Sequence, residues 1–75
     1  MRLSDLQEGA CCIAEVIFAE GAVLHRLTDI GLTEGTRVRC VRKSFFGDPV
    51  VYEIRGTLVA LRKETAALVG VVFVK

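Results

Sequence analysis

The chain has no tryptophan, one histidine, one proline and three cysteines, and each shortage closes off a class of protein. Its longest apolar stretch, AALVGVVFV (66–74), falls well short of the roughly 20 residues that span a bilayer, so no direct membrane insertion is expected. No basic segment with an apolar run opens the chain, because Asp5 and Glu8 interrupt it. The expectation is a cytoplasmic protein. No Ser-His-Asp or Cys-His arrangement stands out, and a lone histidine with no second candidate base gives little to build on. The carboxylates are scattered, with no spacing that forces two into one site, and the glycines form no phosphate-cradling loop. The reading is a non-enzyme with no catalytic residues and no cofactor. A net charge of +1 lacks the positive bias of a domain that lives on a phosphate backbone, so no nucleic acid partner is expected.

Zinc sites usually present paired cysteines at Cys-x2-4-Cys spacing, which Cys11, Cys12 and Cys40 do not have. Adjacent cysteines on a strand point to opposite faces, so Cys11 and Cys12 cannot easily share one ion. They read as reduced thiols packed like small apolar residues, and no metal ligand is assigned.

With 75 residues the chain holds one domain, 1–75, and one small core. Hydrophobic residues make up 52%, dominated by Val, Leu and Ile, and favour sheet. LSDLQEG (3–9) reads as a polar approach ending in a glycine turn. ACCIAEVIF (10–18) reads as a first strand, with Cys12, Ala14 and Val16 on one face and Cys11 and Ile13 on the other. In AEGAVLHRLTDIG (19–31) the period changes. Val23, Leu27 and Ile30 form one stripe of a short helix, Arg26 and Asp29 lie off it, and Gly31 is placed to end it in the left-handed conformation.

TRVRCVRKS (36–44) alternates Val38 and Cys40 with Arg37 and Arg39, then slips at Val41 and Arg42, which predicts a bulge. Val50, Tyr52 and Ile54 share one face of the next strand, opposite Val51, Glu53 and Arg55. TLVALR (57–62) is a fourth strand, KETAA (63–67) about one helical turn, and LVGVVFV (68–74) the last strand. The expected fold is mainly β. It is a small closed five-stranded barrel, with one short helix between strands 1 and 2 and a helical turn before the last strand.

Two features stand out as surface. The run Arg37, Arg39, Arg42, Lys43 ahead of two aromatics could hold a single nucleic acid strand, but it also suits the solvated outer face of a strand, which the near-neutral charge favours. In FFGDP (45–49), Gly47 can take positive φ, Asp48 can accept a local backbone hydrogen bond, and Pro49 fits the first position of a strand. The corner is a turn first. Of the consecutive Phe45 and Phe46, an extended backbone sends only one ring inward, which leaves the other as a contact candidate.

The segment 26–71 resembles the bacterial ferrous iron transport protein A family, FeoA. The likeness is carried, in order, by Ile30-Gly31-Leu32, Gly35, Val38 to Arg42, Gly47-Asp48-Pro49, Ala60-Leu61-Arg62, and Ala66 to Val71. Ile30 stands where the family usually has Leu, Phe46 where Leu is common before Gly-Asp-Pro, and Cys11-Cys12 lies outside the pattern. The resemblance implies an SH3-like barrel. It also implies a cytoplasmic accessory protein that binds and modulates a membrane ferrous-iron permease of FeoB type, through its cytosolic G-protein domain or its membrane part. Such a protein would sit at the inner face of the membrane through that partner.

Two other readings stay open. One is an SH3-like regulatory module of the iron-dependent repressor type; the other is an Sm-like RNA-binding barrel that would use Arg37, Arg39 and Arg42. For the contact reading, the candidates are Arg26 and Leu27 on the helix, with Phe45, Phe46, Gly47 and Asp48 at the corner. Leu27 on the helix stripe has core packing as its first explanation. Self-association through an edge or groove is left open.

Overall fold

The computed structural model describes residues 1–74. A 3₁₀ turn (Leu3–Asp5) is followed by β1 (Cys11–Ile17), α1 (Gly21–Asp29), β2 (Arg37–Lys43), β3 (Val50–Ile54), β4 (Thr57–Leu61), α2 (Lys63–Ala66) and β5 (Val69–Phe73). The strands form one antiparallel sheet in the order β4-β3-β2-β1-β5. No ladder joins β4 to β5 among the described residues, so the sheet is curled but its two edges remain, against the closed barrel expected from the sequence. Arg2 bridges to Gly70 beyond β5, and the Val71 N–H donates to the Met1 carbonyl at 2.9 Å.

The slip in the β2 pattern is a bulge between Cys40 and Arg42 against β3. A second, unexpected bulge lies between Ala14 and Val16, where β1 meets β5. The extra residue, Glu15, turns Val16 away from the face of Cys12 and Ala14, leaving it partly exposed while those two are buried. Val50, Tyr52 and Ile54 all face the core, as their alternation predicts.

The start of the chain departs most from its sequence reading. Leu3 and Leu6 are fully buried, and the Tyr52 hydroxyl donates to the Leu3 carbonyl at 3.3 Å. Asp5 holds the turn, its carboxylate accepting from the Arg2 N–H at 3.0 Å. Polar residues around the two leucines hide a segment that closes one side of the core.

Helix α1 buries the predicted stripe: Leu27 completely, Val23 and Ile30 in part. Its end forms a Schellman motif, with Leu32 N–H donating to the Leu27 carbonyl at 2.9 Å and Gly31 N–H to that of Thr28 at 3.0 Å. Gly31 has φ +89, which a Cβ disfavours.

Candidate functional site

Ser44 to Pro49 connect β2 to β3. The Gly47 N–H donates to the Ser44 carbonyl at 2.8 Å, so Phe45 and Phe46 occupy the two central positions of a β-turn. Strand alternation does not apply there, and the expectation of one inward ring fails. Both are nearly free of protein cover, Phe45 94% and Phe46 89% exposed, and their rings meet edge to face at 4.9 Å. Neither contributes to the core.

Asp48 also departs from its sequence reading. Its carboxylate accepts no local backbone bond; it accepts the Lys63 N–H at 2.9 Å and lies 3.9 Å from the Arg62 guanidinium. It thereby satisfies a free donor in the first turn of α2. Gly47 has φ +82, as its place in the turn predicts. The Asp48–Pro49 peptide is cis.

Of the two helix candidates, Leu27 belongs to the core and presents no surface. Arg26 is exposed. It borders a depression of ≈ 290 Å³ between α1 and β4, shared with Ile30, Val59, Ala60, Leu61 and Arg62. Arg62 links the two regions, lying in this depression with Arg26 and beside Asp48. In the sequence, Ala60-Leu61-Arg62 carries part of the family likeness and no site role. No local pattern in β4 points to α1 as its neighbour.

The basic residues of β2 lie outward, with Arg37, Arg39 and Arg42 exposed. Arg39 pairs with Glu53 at 3.1 Å. Arg37, Arg39, Glu53, Arg55, Gly56 and Cys11 surround a second depression of ≈ 450 Å³. Strand alternation predicts Arg55 as an outward strand residue. It sits instead in the β3–β4 turn at φ +51, ahead of Gly56 at φ +82, the backbone of a two-residue type I′ hairpin. Its guanidinium donates to the Gly31 carbonyl at 2.9 Å and to Thr36 Oγ1 at 3.2 Å, clamping the hairpin to the end of α1.

Cys12 and Cys40 are buried and pack as small apolar groups; Cys11 is half-buried on the opposite face. Burial pushes the Cys12 thiol up from 9.0 to about 11 and raises that of Cys40 as well. Among the described residues no three His, Cys, Asp or Glu side chains gather as a metal site would require. No helix among them is long and apolar enough to cross a membrane.

The family model for the FeoA domain matches residues 1–72. A curated relative, the Fe(2+) transport protein A/Fe(2+) transporter FeoB fusion protein of Porphyromonas gingivalis, is 32% identical over 71 residues. That match covers 95% of this chain and 8% of the relative. The chain thus spans under a tenth of that protein's length.

Among solved structures, the FeoA protein of Chlorobium tepidum superposes with a TM-score of 0.94 at 32% identity, over 100% of this chain and 71% of that one. Stenotrophomonas maltophilia FeoA, described as a prokaryotic SH3 domain protein and solved with zinc, gives 0.83 at 32% identity, over 95% and 88%. The fold alone is shared with a manganese-dependent transcriptional repressor, at 21% identity and a TM-score of 0.88 over 99% and 41%. The expected SH3-like, mainly β architecture is therefore the observed one.

Proposed function

Since the chain belongs to the FeoA domain family, whose members are tied to ferrous-iron transport, we propose that it is a cytoplasmic accessory protein that binds a FeoB-type ferrous-iron permease and modulates it by contact, not catalysis. The observation that carries this reading is the fused relative, in which a domain like this one is part of the same chain as a FeoB transporter. Fusion replaces an encounter in solution by a high effective concentration. Contact with such a partner needs a surface that becomes buried on binding.

The exposed Phe45–Phe46 pair is suited to that need. Binding energy concentrates in a few aromatic anchors that become buried on contact, and these two rings contribute nothing to the core. Gly47 and Asp48 set the turn behind them, and Arg26 lies on the neighbouring groove. The side the protein offers is aromatic at the turn and cationic at the groove.

The test is a titration of the labelled chain with the soluble G-protein domain of the permease, followed residue by residue by NMR. Shifts should gather at Phe45 to Asp48, and Phe45→Ala with Phe46→Ala should weaken binding by on the order of 1–3 kcal/mol. Unchanged affinity in that double variant, or no shifts with either the G-protein domain or the detergent-solubilised permease, would overturn the reading.

A further inference from the structure

The β4 edge lacks three features that protect a free strand: charge, proline and a bulge. Thr57–Leu61 reads TLVAL, with no charge and no proline, and its ladder to β3 runs without a bulge. Ile54 and Thr57 flank the two-residue Arg55-Gly56 turn and so form a hydrogen-bonded pair, as do Tyr52–Val59 and Val50–Leu61. Leu58 and Ala60 therefore aim their N–H and C=O groups away from the sheet. Among the described residues no other backbone group bonds to them. Leu58 is 62% exposed. Ala60, with Val59, Leu61 and Arg62, lines the depression that Arg26 and Ile30 of α1 also line.

We propose that this edge is a docking rail on which an extended, acidic segment of a partner protein adds as a further strand between β4 and α1. The backbone of the segment would satisfy the four groups of Leu58 and Ala60, and its carboxylates would meet Arg26 and Arg62. Of the two cations, Arg26 has no carboxylate partner among the described residues, while Arg62 lies 3.9 Å from Asp48 and would be shared with it. Glu53, on the strand beside Leu58, is held by Arg39 at 3.1 Å.

A second copy of this chain fits less well. The twofold register that pairs Leu58 of one copy with Ala60 of the other satisfies all four groups, but the added strand, TLVAL, carries no carboxylate to meet Arg26 or Arg62. The rail is independent of the permease reading.

The test uses the full chain labelled with nitrogen-15 and a blocked peptide of alternating Glu and Val. Its controls are the Lys-Val counterpart and a backbone N-methylated Glu-Val peptide. The Glu-Val peptide should slow amide exchange at Leu58 and Ala60 by on the order of tenfold. N-methylation or Lys should abolish the effect, and Arg26→Glu and Arg62→Gln, both at exposed positions, should weaken it.

Four results would overturn the proposal: no protection at millimolar peptide, an equal response to the Lys peptide, shifts confined to Phe45–Asp48, or protection that grows with protein concentration alone. The last would assign the edge to a second copy. Because no permease component is present, failure here is distinct from failure of the permease titration.

Discussion

Leu27→Ala removes a side chain with no exposed surface from the join between α1 and the sheet, whereas Phe45→Ala removes a ring that is 94% exposed. The first should cost about 2–5 kcal/mol, the range for emptying a buried leucine site. The second, like Phe46→Ala, should stay within about 0.5 kcal/mol. Urea unfolding of the three variants checks this, and a loss at either Phe comparable to that at Leu27 would contradict the turn geometry. The helical stripe made Leu27 legible as core. The Phe pair was legible only as unusual, because consecutive aromatics read differently on a strand and in a turn, and the Ser44–Gly47 bond decides between them.

At the scale of elements, the N-terminal 3₁₀ turn and the end of α1 are junctions between segments far apart in sequence. Leu3→Ala with Leu6→Ala should destabilise the domain by several kcal/mol, on the order of two emptied core sites. An unchanged thermal midpoint would show that the turn is dispensable.

Gly31→Ala should cost about 1–2 kcal/mol through its positive φ. The added Cβ would also stand 2.9 Å from Arg55 Cδ, in the side chain that clamps the hairpin to α1. Gly31 was legible because a helix stripe ended beside it. Leu3 and Leu6 were not, since two leucines three residues apart among polar neighbours show no period. The clamp from Arg55 was invisible too, because its partners lie 24 and 19 residues away.

On the scale of the whole molecule, β1, β2 and β3 each place one weak acid in the core: Cys12, Cys40 and Tyr52. All three are pushed up, chiefly by burial. The folded state therefore prefers the neutral forms, while the unfolded chain ionises at ordinary values, 9.0 for the thiols and 10.0 for the phenol. Their contribution to stability is complete below pH 9.0 and is lost as pH rises; for Cys12 the window runs from 9.0 to about 11. Each thiol that ionises only on unfolding adds a slope of about 1.4 kcal/mol per pH unit. Denaturant unfolding followed from neutral to alkaline pH should show this fall, with a shallower slope in a Cys12→Ala, Cys40→Ala double variant. Stability independent of pH above 9.0 would show that the thiols titrate in the folded state.

What the sequence determined by itself is local in origin. Alternation over Val50 to Ile54 set one face of β3, the slip at Val41 and Arg42 marked the β2 bulge, and the stripe ending at Gly31 delimited α1. Each follows from sterics and burial within a few neighbouring residues, and the ordered motifs carried the family resemblance. Tertiary structure alone decided that the sheet keeps a free edge at β4, that α1 stands beside it, and that Asp48 serves α2 instead of its own turn. These depend on which distant segments meet, and no periodicity within a single segment records the identity of its neighbour.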